Sequence, residues 1–237
     1  MKQPNPRYKR VMLKLSGEAL AGKDGILNFD FLDNVAGVIK KCHDAGIEMA
    51  VLSGAGNIWR GRSGGAIDSC RADHMGMLAT LINAIAIQDA LLRAGLKARA
   101  LSAVGVDGMV QRFDEESAIS ALEAGEIIVF GAGTGLPFFS TDTAAVVRAA
   151  QIKADAVLMA KNIDAVYSDD PRKNPAAVRY SDITYAEVIE KQLKALDLTA
   201  TIFCMDHQMK CYAFELKDPE NILRVVMGEN IGTELHN

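Results

Sequence analysis

Short apolar runs rich in β-branched residues alternate along the chain with longer segments whose apolar positions recur every three or four residues, the pattern of strands alternating with amphipathic helices. The run "RVMLKLS" predicts a strand, "FDFLDNVAGVIKKCHDAG" a helix stopped by Gly46, and "IEMAVLSGAG" a strand that ends in a glycine loop. A helix from Asp73 to Ala94, the strand "KARALSAV", the helix "DEESAISALEAG" and the strand "EIIVFGAG" follow. The second half predicts the helix "DTAAVVRAAQIKA", the strand "DAVLMAK", one helix over "TYAEVIEKQLKAL", another from Asp197, the strand "CYAFEL" and the helix "DPENILRVVMG". Such regular alternation implies right-handed crossovers onto a mainly parallel sheet with helices on both faces, an α/β sandwich. Ligands of these sheets sit beyond the carboxyl ends of the strands. Four loops at those ends carry glycines or charges: "LSGEA", "SGAGNIWRGR", "GAGTGLPFFSTD" and "AKNIDAVYSDDP".

Composition narrows the function. A chain of 237 residues, 49% of them hydrophobic, can bury a full core, and no break in composition marks a linker, so one domain over residues 1–237 is expected. The formal net charge of −4 argues against a nucleic-acid partner held by phosphate neutralisation. Any anion handled here must meet a local cluster of cations. Cys42, Cys70, Cys204 and Cys211 have neither C-x-x-C spacing nor histidines at zinc-finger distances, which predicts free thiols in a reducing cytoplasm. No uninterrupted apolar run approaches the roughly 20 residues of a membrane span, so a soluble cytoplasmic protein without a membrane partner is expected.

Lys14 interrupts an otherwise apolar strand. A strand covered on both faces should be apolar throughout, so this lysine is either an edge residue with its stem on the surface or a cation at the mouth of a site. In the second case Ser16 and Gly17 let the backbone turn closely around a phosphate. Gly54, Gly56 and Gly61 with Arg60 and Arg62 make another close-approach loop, where a planar guanidinium suits phosphate; the alternative is solvated surface charge. Trp59 is expected to pack. Gly131, Gly133 and Gly135 do not complete G-x-G-x-x-G, because Leu136 stands at the third glycine position, and no G-x-x-x-x-G-K-[ST] occurs. What remains is a loop feeding a helix N-terminus, where free N–H groups and the helix dipole favour an anion. Ser140 or Thr141 would cap that helix, and Asp142 would hold a metal or orient Lys14. In the fourth loop Lys161, Tyr167, Asp164 and Asp170 fit either a nucleotide-binding rim or a solvated turn, and Asp169 reads as turn. The histidines are scattered and no G-x-S-x-G occurs. Clustered cations and backbone cradles without an evident general base point to phosphoryl transfer, which is mostly positioning and charge stabilisation.

On these residues the chain resembles the amino acid kinase family, and within it the bacterial uridylate kinases. The segments "YKRVMLKLSGEAL", "GNIWRG", "ADHMGMLATLINA", "GTGLPFFSTD", "DAVYSDDP" and "RVVMGENIGT" occur in that order over nearly the whole chain. "DHMGMLAT" with "PFFSTD" is similar to that branch rather than to the family's carboxylate and carbamate kinases. The resemblance implies a three-layer αβα fold, with an acceptor side over about residues 1–150 and an ATP side over about 151–237. It implies ATP-dependent conversion of UMP to UDP, Mg2+ carried by ATP rather than by protein ligands, and a homohexamer. It implies Lys14, Arg60 and Asp142 as catalytic residues, with Lys14, Leu15, Ser16, Gly17, Gly56 and Arg60 on the ATP phosphates. Lys161 or Asn162, with Tyr167 and Asp170, would line the nucleoside end of ATP. Ala55, Asp73 and the loop of Thr134, Gly135, Leu136, Pro137, Phe138, Phe139, Ser140 and Thr141 would enclose UMP, Asp73 at the ribose, with the glycines making room for that acceptor. The helix "DHMGMLATLINAIAIQDALL" is apolar around more than one stripe, which the resemblance turns into a subunit contact. Ala55 stands where many relatives have glycine, and "LMAKNIDAVY" departs from both common versions of its segment. "GKDGILNFD" lacks the Gly-Phe-Gly-Ile-Asp run of GTP-activated relatives, so no regulation is implied.

Overall fold

The structure, a computed structural model, describes residues 6–23, 25–59 and 66–237. Its strands are β1 (Arg10–Leu15), β2 (Glu48–Ser53), β3 (Ala98–Ser102), β4 (Gln111–Arg112), β5 (Ile127–Gly131), β6 (Ala156–Lys161), β7 (Val166–Tyr167), β8 (Arg179–Tyr180), β9 (Asp182–Thr184), β10 (Lys210–Glu215) and β11 (Thr233–His236). Its helices are α1 (Phe29–Asp44), α2 (Ser69–Arg93), α3 (Glu115–Glu123), α4 (Thr141–Gln151), α5 (Tyr185–Glu190), α6 (Leu198–Asp206) and α7 (Glu220–Val226). One sheet runs in the order β4-β3-β5-β2-β1-β6-β10-β11-β9, and β7 and β8 form a separate ribbon. Every pairing in the large sheet is parallel except β10 with β11.

Alternation along the strands sorts the core into two layers. Val11, Leu13 and Leu15 of β1 and Leu158 of β6 face α1, α2 and α7, where Leu32, Ile39, Ile87, Leu91 and Val225 are buried. Met12 of β1 and Val157 and Met159 of β6 face α3, α4, α5 and α6, with Leu122, Val146, Val188 and Cys204. The result is the expected αβα sandwich. From β1 the chain runs to β2 on one side, continues to β3 and β4 at the edge and returns to insert β5 between β2 and β3, whereas from β6 it builds outward through β10 on the other side. The gap between β1 and β6 is therefore the topological switch point, where the loops diverge and open a crevice.

Several elements differ from expectation. Helix α2 starts at Ser69, ahead of Asp73, because the Asp68 side chain caps it by accepting from Arg71 N. Its 25 residues are long and apolar enough in composition to cross a membrane, contrary to the reading of the sequence. Instead it packs in the core through Ala84, Ile87 and Leu91, and its second apolar face, with Met75, Leu78, Ile82 and Ile85, is exposed. Helix α5 stops at Glu190 rather than continuing to Leu196, since Gln192 is in the left-handed region at φ 51°. The segment after it is held by tertiary contacts described below. Strands β9 and β11 were not anticipated; each is short and gains its partners only from the sheet edge. All four cysteines are free thiols.

Candidate active site

Lys14 is not an edge residue: β1 lies in the middle of the sheet and the residue is 8% exposed. It shares the face of Met12, while Lys161 shares that of Val157 and Met159, so two lysines end adjacent central strands beneath α4. Asp142, in the first turn of α4, accepts from both. Lys14 Nζ is 2.8 Å from Oδ1 and Lys161 Nζ is 3.0 Å from Oδ2. Lys161 Nζ also donates to Ala195 O at 2.5 Å, which ties down the segment after α5. Burial by itself would raise the Asp142 pKa, but the two ammonium groups outweigh it and hold the carboxyl well below the usual carboxylate range. Burial lowers the Lys161 pKa from the usual lysine range, and Asp142 opposes that shift. A carboxylate so firmly ionised is a poor proton acceptor. Its two oxygens each hold one ammonium group, which includes the contact with Lys14 expected of it.

The N-terminus of α4 meets that of α6 beside this cluster. Ser140 caps α4, its Oγ accepting from Asp142 N at 3.0 Å and Thr143 N at 3.1 Å. Asp197 caps α6 through Ala200 N at 3.0 Å and also accepts from the hydroxyls of Ser140 and Thr143. One carboxylate therefore clamps two helix starts together. The sequence marked Asp197 only as a helix start, and its partnership with α4 has no signature in spacing.

The loops close in from the other side. A Cβ on Gly17 would lie 2.4 Å from Gly54 O and 2.6 Å from Gly56 N, so the β1 and β2 loops touch backbone to backbone. Ala55 does not have positive φ, so its methyl is accommodated in this glycine loop without backbone strain. The three alternate glycines after β5 answer to different demands. At Gly131 the close neighbour is α2, because a Cβ would meet Leu81 Cδ1 at 2.6 Å; this corrects the expectation that all three make room for a ligand. Gly133 and Gly135 take φ of 57° and 83°, which turn the loop back over the crevice. Thr80 of α2 supports that turn, accepting from Ala132 N at 2.9 Å. Thr80 and Asn83 escaped the sequence reading, which weighed only the apolar residues of this helix. Their i, i+3 spacing on one face was the available signal.

Two clefts open on the cluster. One, of about 740 Å³, is lined by Ala55, Asp73, Thr134, Leu136, Phe138, Phe139, Ser140, Thr141 and Asp142, together with Thr80 and Asp197. Gly135 and Pro137 belong to its loop without lining it. Asp73 Oδ2 accepts from Phe138 N at 2.7 Å, so this carboxylate holds the loop itself. The other cleft, of about 620 Å³, is lined by Lys14, Ser16, Lys161, Asn162, Tyr167 and Asp170, with Glu18, Lys191 and Lys194. Leu15 is fully buried in the core and offers only its backbone, whose carbonyl accepts from Gly54 N. Gly17 and Gly56 sit where the two loops touch. Asn162 Nδ2 donates to Glu18 Oε2 at 3.1 Å, and the Tyr167 hydroxyl to Asp164 at 3.1 Å. Asp170 folds onto its own turn, accepting from Arg172 N. Trp59 packs as expected, its Nε1 donating to Ala72 O. Arg60, Gly61 and Arg62 lie outside the described residues.

The amino acid kinase family model matches residues 9–214, spanning the sheet core and both clefts. The chain belongs to the amino acid kinase family. Among solved structures of this family it is similar to a UMP kinase from Bacillus anthracis, with 32% identity, a TM-score of 0.93, and coverage of 97% of this chain and 96% of that one. A UMP kinase from Ureaplasma parvum is 33% identical, with a TM-score of 0.92 and coverage of 98% and 100%. A uridylate kinase from Archaeoglobus fulgidus is 25% identical, with a TM-score of 0.73 and coverage of 95% and 99%.

Asp142→Asn removes the counter-charge of two lysines whose side chains are only 11% and 19% exposed, and should cost on the order of 3 kcal/mol of stability. Because the folded Asp142 pKa is depressed, the stability it contributes is present above the ordinary carboxylate pKa, near 4, and is lost as pH falls below it. Melting curves should therefore show a gap between wild type and Asp142→Asn at pH 7 that narrows at about pH 3. A gap that is absent, or unchanged in acid, would contradict the shared-carboxylate reading.

Proposed function

We propose that the chain transfers the γ-phosphoryl group of ATP directly to UMP, giving UDP and ADP. The observation that carries this reading is that both clefts reach the same charge cluster: Asp142 lines one, and Lys14 and Lys161 line the other. ATP fits the cleft with Tyr167, Asn162 and the basic rim of Lys191 and Lys194, its phosphates directed at Lys14 and the Gly17–Gly54 contact. The acceptor fits the cavity under the loop from Thr134 to Thr141. Similarity to structures of UMP kinases favours a nucleoside monophosphate over a small carboxylate.

In this reading a phosphate oxygen of UMP attacks the γ-phosphorus in line, and the bond to the β,γ-bridging oxygen breaks as ADP leaves. The acceptor phosphate is already ionised near neutral pH, so no residue needs to remove a proton. Lys14 and Lys161 stabilise the charge spread over the transferring group, Arg60 adds a third cation from its loop, and the α4 N-terminus faces the acceptor. The oxygens of Asp142 are engaged by lysines and those of Asp197 by hydroxyls and an amide, which fits Mg2+ that takes its oxygens from the ATP phosphates. When bound there it would neutralise part of the phosphate charge. The reading places one domain, with an acceptor half and an ATP half, in the cytoplasm.

The exposed face of α2 supports a homo-oligomer, a hexamer by resemblance. Met75, Leu78, Ile82 and Ile85 fall at i, i+3, i+7 and i+10, a continuous apolar stripe. An exposed stripe of this kind is a liability on a monomer.

A coupled assay of the purified chain with ATP should show UMP phosphorylated far better than CMP or dTMP, because a wrong base leaves buried polar groups unpaired. Equal turnover of CMP would withdraw the assignment of the Thr134–Thr141 loop to uracil. Arg60→Ala and Asp142→Ala should each lose about a hundredfold in kcat while still binding both nucleotides; wild-type turnover in either folded variant would remove its role. Light scattering at low micromolar concentration should give a species several times the mass of one chain, and Ile85→Glu should break it up. A stable, active monomer would refute the interface.

A further inference from the structure

Asn83 is fully buried, a primary amide set among the apolar side chains of α2. Its Nδ2 donates to Gly54 O at 2.8 Å and to Asn57 Oδ1 at 2.9 Å. Its Oδ1 accepts from Asn57 Nδ2 at 2.9 Å, and Asn57 Nδ2 donates its second hydrogen to Ile26 O at 2.7 Å. The two amides form a cyclic pair in which all four N–H bonds are used. Carbonyls only accept, so those of Gly54 and Ile26 determine which way each amide faces. Three segments distant in sequence are joined here: the loop before α1, the loop after β2, and α2.

The consequence lies across one peptide bond. With Gly54 O held toward α2, the N–H of Ala55 points the opposite way, because the peptide is trans and planar. Among the described residues, no acceptor takes the N–H groups of Ala55, Gly56 or Asn57, whereas Ile58 N and Trp59 N both donate to Ala55 O at 2.9 Å. Consecutive free N–H groups of this kind form an anion-binding nest, and Ala55 lines the acceptor cleft.

We propose that the Asn57–Asn83 amide pair is a positioning device for phosphoryl transfer, setting the direction in which the Ala55 N–H group meets a phosphate. Neither amide touches a nucleotide; both act through the peptide they orient. The proposal rests on the reading of the chain as a phosphotransferase. It separates these residues from ordinary buried polar groups, which contribute to stability alone.

The test uses the full chain with ATP and UMP, comparing wild type with Asn57→Ala, Asn83→Leu and the double variant. Each single variant should lose about tenfold or more in kcat, with KM for UMP changing less than kcat. The double variant should be no worse than the poorer single one, because the pair acts as a unit. In the unliganded protein, hydrogen exchange should quicken at Gly54, Ile58 and Trp59, the loop residues whose N–H groups have backbone acceptors, while β1, β2 and β5 stay protected. Asn57 is only half-buried, so Asn57→Ala carries the test by itself if Asn83→Leu does not fold. Turnover of Asn57→Ala within about twofold of wild type, or losses that simply add in the double variant, would overturn the proposal. If wild type phosphorylates no nucleoside monophosphate, the phosphotransferase reading fails. Exchange at Gly54, Ile58 and Trp59 in the unliganded variants then still judges the amide pair, and unchanged exchange there overturns it.

Discussion

The arrangement depends on one carboxylate shared by two buried lysines. Three charges taken from water at the middle of a sheet are tolerable only if each finds a partner at hydrogen-bonding distance. That requirement bears on the register of β1 against β6, which brings Lys14 and Lys161 to one face. It bears on the first turn of α4, which must deliver Asp142 between them. It extends to the segment after α5, whose Ala195 carbonyl takes the remaining reach of Lys161. The same cluster places the Lys14 and Lys161 ammonium groups on one cleft and the Asp142 carboxylate on the other.

Around that centre the backbone does most of the shaping. Side chains would keep the β1 and β2 loops apart, and Gly17 allows their direct contact. Helix α2 then acts as a ruler for both loops on the acceptor side. Thr80 holds the turn at Ala132 and Asn83 holds the carbonyl of Gly54, while Leu81 packs where Gly131 has no side chain. One helix thus fixes two cleft loops on its inner face and presents an apolar stripe on its outer face, with the consecutive residues Ile82 exposed and Asn83 buried.

Much of this was legible in the residues. Alternating periodicities determined the strands and helices of the α/β sandwich, because burial on one face imposes period two on a strand and 3.6 on a helix. The lone lysine of β1, the glycine loops and the cap at Ser140 marked the carboxyl end of the sheet as the site, because charges and missing side chains there run against what a core requires. What the tertiary structure decided are contacts between segments distant in the chain. The length of α5 was one, since Ala195 is drawn to Lys161 against helical propensity; the strands β9 and β11, which exist only through their neighbours, were another. The roles of Asp197, Thr80 and Asn83 were a third. Polar groups such as these have no period to betray them. Their meaning lies in the distance and direction of a partner, which burial alone cannot specify and only the folded backbone supplies.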